Sequence, residues 1–79
     1  MKKAALRRRT LDVRALIAAG DSPFDSITHA LQALGPAESL VIVTPFLPSP
    51  LIEKLQAEGY LARPERRADG AWQTQFSRA

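Results

Sequence analysis

The sequence has no cysteine and a single histidine, His29. Without a thiol there is no disulfide, no thiolate metal ligand and no persulfide to carry. One histidine cannot build a multi-histidine zinc site within one chain. Aromatic residues are sparse at 6%, and none interleaves with the basic clusters, as a stacking platform for single-stranded nucleic acid requires. No apolar run approaches the roughly 20 residues that cross a bilayer. The basic opening MKKAALRRR leads into neither an apolar h-region nor a small-residue cleavage site. These absences describe a cytoplasmic protein with no membrane association, no cofactor and no metal.

What is present bounds the rest. A chain of 79 residues is one domain near the small end for independent folding. Its 46% hydrophobic and 24% charged residues make a globular rather than a disordered composition. The net charge of +3 is unevenly spread: Lys2, Lys3, Arg7, Arg8 and Arg9 open the chain, and Arg63, Arg66 and Arg67 cluster near its end. Residues 1–8 read as a basic tail before a domain over 9–79. The two clusters either solvate the surface or converge into a phosphate-attracting patch.

Hydrophobic periodicity and turn residues set the element order. RTLDV (9–13) predicts a strand, and RALIAAGDSP (14–23) a connection turning at Gly20-Asp21. Ser22-Pro23 predicts a helix start, with Ser22 as cap and Pro23 where its missing N–H costs nothing. Phe24, Ile27, Leu31 and Leu34 then form the stripe of an amphipathic helix, which Gly35-Pro36 ends. SLVIVT (39–44) predicts an interior strand. Ser49-Pro50 repeats the cap-and-proline device, opening a helix to Glu58 with Leu51, Ile52 and Leu55 inward. Tyr60 to Glu65 predicts a strand that Pro64 confines to an edge. Ala68-Asp69-Gly70 predicts a hairpin turn. In AWQTQFS (71–77), Trp72, Thr74 and Phe76 alternate against Gln73, Gln75 and Ser77. The order β-α-β-α-β-β predicts a two-layer α/β sandwich, with both helices on one face of a four-stranded sheet.

The stretch VIVTPFLPSPLIEKL (41–55) combines privilege with inertness. Loops beyond the carboxyl end of a strand commonly carry function in α/β folds. Here three prolines fall within six residues, and no charge, His or Cys lies between Val43 and Glu53. The prolines fix φ at Pro45, Pro48 and Pro50 and lower the entropy lost on folding. The apolar tip Phe46-Leu47 is then either tucked under the first helix or offered to a partner.

Other residues carry a bland and a sharp reading together. Asp12 and Arg14 form either a salt bridge at a strand end or a pair that orients a ligand. His29 lies opposite the apolar stripe, where an ion pair with Asp25 is the plain expectation. Ser22 has no partnered base at a readable spacing and reads as a cap. Trp72 reads as core. Because Leu40 and Ile42 face one side and Val41 and Val43 the other, the open sheet face calls for a cover, most simply a second copy in a homodimer.

LDVR (11–14), AAGDSPF (18–24), ALGPAESL (33–40), PFLPSPL (45–51) and Gly59-Tyr60, with Trp72 and Phe76, together resemble the TusA-like superfamily of SirA-like sulfur carriers. More closely they resemble a family of small bacterial proteins within it whose function is unassigned. The resemblance covers about Thr10 to Arg78 and implies a mixed sheet ordered 1-2-4-3, the last strand antiparallel to the others. It implies no sulfur chemistry. Where the carriers hold Cys-Pro at the first helix, this chain has Ser22-Pro23. Where some closer relatives hold Asp-His, it has Pro45-Phe46. It also implies an association with bacterial redox or respiratory metabolism.

The functional expectation is a non-enzymatic binding or adaptor protein with an unidentified protein partner. It would work through Ser22-Pro23 and the loop of Pro45, Phe46, Leu47 and Pro48, with Asp12 and Arg14 as further candidates. The alternatives are nucleic-acid binding by the basic clusters and anion binding at the helix N-termini.

Overall fold

Apolar side chains from one face of the sheet and from every helix meet in a single layer. Val13, Ile27, Leu31, Ile42, Leu55 and Phe76 are its buried centre. Each large aliphatic or aromatic side chain so buried contributes roughly 1.5–3 kcal/mol before entropy is counted. The structure, a computed structural model, describes residues 7–78. Its elements are β1 (Arg7–Asp12), α1 (Arg14–Ala18), α2 (Phe24–Gln32), β2 (Glu38–Thr44), α3 (Ser49–Ala57), β3 (Tyr60–Arg66) and β4 (Trp72–Arg78).

The sheet order is β1-β2-β4-β3. β1 pairs parallel with β2, while β4 runs antiparallel to both its neighbours. This is the mixed two-layer sandwich expected, with β2 interior and the Pro64-bearing strand at an edge. Register explains the core face: Leu40 lies opposite Phe76 and Ile42 opposite Thr74, while Ala62 lies opposite Phe76. The hairpin closes with the Arg67 N–H donating to Ala71 O and the Gly70 N–H to Arg67 O.

Four local expectations are corrected. The first strand begins at Arg7 rather than Arg9 and ends at Asp12, because Arg7 to Asp12 are in register with Glu38 to Val43. The supposed connection after it opens with a helical turn, α1, so three helices rather than two cover the sheet. Val13 leaves the strand to become the buried cap residue of α1. The Ser22 and Ser49 devices are displaced by one residue: Pro23 and Pro48 occupy the cap positions. Ser22 Oγ instead accepts the Phe24 N–H at 3.3 Å, a side-chain turn just before the helix.

The inward stripes are only partly sealed. In α2, Ile27, Leu31 and Leu34 are buried, but Phe24 is exposed. In α3, Leu55 is buried, whereas Leu51 and Ile52 are half-buried. Trp72 is also half-buried rather than core.

The open sheet face differs from expectation in a way that matters for partners. Val41 is 7% exposed and Val43 1% within the single chain. Flanking long side chains close over them: Gln75 stands beside Val41 and Gln73 beside Val43. Gln75 Nε2 donates to Ser39 Oγ at 3.0 Å, and Gln73 Nε2 to Glu65 Oε1 at 3.0 Å. The cover is polar and intramolecular.

Candidate functional site

At the carboxyl end of β2 the chain must turn sharply into α3, and the prolines dictate how. Thr44, at the strand end, donates its hydroxyl to Phe46 O at 2.6 Å, which pins the first bend. Pro48 has φ −86° and ψ 64°, and the Ser49 N–H donates to Leu47 O at 2.9 Å. That is an inverse γ-turn. Pro50 sits in the first turn of α3, where no intrahelical donor is needed. Pro48 is buried, and the tip residues are not: Phe46 is 53% exposed and Leu47 40%. The tip is offered to solvent rather than tucked.

The segment between α1 and α2 faces this loop. Gly20, at φ +82°, takes the left-handed conformation that reverses the chain after α1. The Asp21 N–H donates to Leu16 O at 2.9 Å. Pro23 and Phe24 are thereby brought towards Phe46, although 22 or more residues separate them in sequence.

Between the two segments lies a groove of about 500 Å³. Pro23, Phe24 and Ile27 form one wall, and Phe46, Pro48 and Leu51 the other. Ile17 and Thr44 also contribute to its lining. Its volume lies in the range of ligand-binding clefts, and apolar walls with few polar groups are their usual character. Asp21 and Lys54 are its charged residues. Lys54 Nζ stands 5.3 Å from the centroid of the Phe24 ring and 3.2 Å from Glu58 Oε2. The cation is thus held between a ring face and a carboxylate.

Of the expected site residues, Pro23, Phe46 and Pro48 line the groove. Ser22 lies next to it in sequence, and Pro45 and Leu47 belong to the loop that builds it. Asp12 and Arg14 do not join them. They form a bidentate pair, Arg14 Nε to Asp12 Oδ1 at 3.0 Å and Nη2 to Oδ2 at 2.7 Å. The Arg14 backbone N–H also donates to Asp12 Oδ1 at 3.0 Å. Arg14 Nη1 reaches on to Asp69 Oδ2 at 3.3 Å, and Asp69 in turn holds Arg67 Nη2 at 3.2 Å. The Asp12 carboxyl is held at about 2, chiefly by the Arg14 side chain. Asp69 is lowered by the Ala71 N–H and then by Arg67. These four charges tie the start of α1 to the β3–β4 turn, so the salt-bridge reading is the one the geometry supports.

The basic clusters meet only in part. Arg7, Arg8 and Arg9 lie on β1 at one edge, and Arg63 and Arg66 on β3 at the other, about 14 Å away across three strand spacings. Arg9 lies 3.6 Å from Glu38, and Arg67 is spent on Asp69. Arg8 and Arg63 nevertheless line one depression on the open face, floored by Val41 and shared with Glu65. Lys2 and Lys3 lie outside the described residues. His29 is exposed, and no ion pair joins it to Asp25 among the described residues. Among the described residues no group of three or more His, Asp or Glu could hold a metal ion, and no helix is long and apolar enough to cross a membrane.

Both walls are legible in the sequence as Ser22-Pro23 and the Pro45–Pro48 loop, but the groove between them and the place of Phe24 in it are not, because the walls come from distant segments. The available signal was the pairing of two proline-led helix starts, which in a two-layer fold open at the same end of the sheet. Comparison with known proteins agrees on extent. The family model described as "Uncharacterized conserved protein (DUF2249)" matches residues 10–78. No curated protein and no solved structure matches the chain.

Proposed function

Given that the chain belongs to the DUF2249 family of uncharacterized conserved proteins, we propose a function from its geometry: a non-enzymatic binding or adaptor protein. It docks an apolar feature of a partner protein in the groove between the α2 start and the β2–α3 loop. One observation carries this reading. Phe24 and Phe46, two large apolar side chains exposed to solvent, face a common groove whose backbone is fixed by Pro23, Pro48 and Pro50. Exposing them costs stability in a small domain, and a preformed backbone lowers the entropic cost of binding.

The strand order and the proline-led helix starts support membership of the TusA-like superfamily. A bacterial, cytoplasmic setting in redox or respiratory metabolism is what that resemblance implies. Ser22 stands where a carrier would need a thiol, so the adaptor does not relay sulfur. The reading needs no homodimer, since Val41 and Val43 are covered within the chain.

A photocrosslinking residue at position 46, with another at Leu61 on the open face as control, tests the proposal in the native host. A defined protein adduct from position 46, absent from position 61 and lost on Phe24→Ser, is the expected result. Equal labelling from both positions, or none from 46, would overturn it.

A further inference from the structure

The groove's surroundings specify the chemistry of its occupant, an inference that rests on the docking reading above. The segments that wall the groove and the helices they open, residues 20–32 and 44–58, carry Asp21, Asp25, Glu53 and Glu58 against Lys54 as their sole Lys or Arg. Asp21 lines the groove, and Asp25 stands in the first turn of α2 beside Phe24. Neither is in an ion pair among the described residues. The single cation at the rim has its charge engaged by Glu58 at 3.2 Å and by the Phe24 ring. The rim therefore offers uncompensated negative charge around an apolar floor, in a protein whose net charge is +3.

We infer that the groove takes a cationic segment of a partner protein, one or two bulky apolar side chains flanked by Lys or Arg. The apolar anchors displace water from the floor between Phe24 and Phe46. The flanking cations meet Asp21 and Asp25, which steer the encounter and fix its direction along the groove. An acidic segment meets like charge at the same rim, so discrimination between the two is built into the site. The chain's own basic surface is the rival occupant. Leu61 is 54% exposed on the open face that carries Arg63, and it could seat in the groove of a second copy. Such a contact makes a reciprocal pair, a ring or an open chain; each would make shifts at the groove depend on protein concentration, which a separate partner does not.

The test uses three synthetic peptides with the same two leucine anchors and flanks of lysine, serine or glutamate. Their binding to the full chain is followed by amide chemical shifts at low and moderate salt. The lysine peptide should bind about tenfold more tightly than the serine peptide at low salt, with shifts around Phe24 and Phe46, and the glutamate peptide more weakly than either. Asp21→Asn with Asp25→Asn, both exposed positions, should reduce the lysine peptide to the serine level while the serine peptide is unaffected. Phe46→Ser should weaken all three. Equal binding of the three peptides in the groove would overturn the charge inference and leave the docking reading standing. Failure of every peptide to shift groove residues would overturn both. Concentration-dependent shifts at both Leu61 and the groove without peptide would assign the groove to a second copy instead.

Discussion

Asp12 shows how a single side chain can both start and tether an element. Its carboxylate accepts the Arg14 backbone N–H and grips the Arg14 guanidinium, nucleating a helix of five residues that has no other cap. The folded value of about 2 lies below the ordinary 3.8. Its contribution is therefore complete above about pH 4 and is lost as pH falls through about 2. The pair is exposed and screened, so its contribution is small. Asp12→Asn should lower stability modestly at pH 7, and the gap to the parent in urea unfolding should narrow steadily between pH 4 and 2. A constant gap would place the effect elsewhere. Thr74 poses the opposite case. It is fully buried opposite Ile42, and its hydroxyl finds no partner among the described residues. An unpaired buried hydroxyl costs roughly 1–3 kcal/mol, so Thr74→Val should stabilise the fold by about 1 kcal/mol in the unfolding midpoint. A loss of stability would contradict the unpaired assignment.

At the scale of elements, the firmest sequence signals were those with both a period and a punctuation mark. The α2 stripe ending at Gly35, the short apolar run of β2 and the alternation of β4 were all legible for that reason. α1 was not, because five residues are too few to show a period and its start depends on a side chain two residues upstream. The caps were misplaced by one residue because Pro is tolerated both at the cap and just inside it. Pro64 was read correctly as an edge marker, and it has a further role. β3 ends the sheet beside β4, and an edge strand invites pairing with another molecule unless something blocks it. Pro64 has no N–H to offer, and Arg63 and Arg66 add charge. Pro64→Val should turn β3 into a better template. Light scattering should then show a mass that rises with concentration, while the parent's stays constant.

The whole molecule explains what local reading could not reach. Val41 and Val43 are buried within the chain beside Gln73 and Gln75 from a strand about thirty residues later, a cover that the apolar run alone does not reveal. The sheet order roots the basic clusters on opposite edges, and only Arg8 and Arg63 reach a common depression across the open face. The groove likewise exists only after β1 and β2 pair in parallel and bring two loops to one end. Phe46 was legible as an apolar tip, but its pairing with Phe24 was not.

The same topology fixes where the molecule can be held. Arg7 enters the sheet opposite Glu38, and Arg78 leaves it opposite Tyr60. Since β4 runs against β2, both points lie at the end of the sheet where β2 begins, and the groove opens where β2 finishes. A seven-residue strand, about 23 Å long, stands between them. A tether at either point, whether a fused domain, an affinity handle or a sensor surface, holds the chain by its base and presents the groove outward.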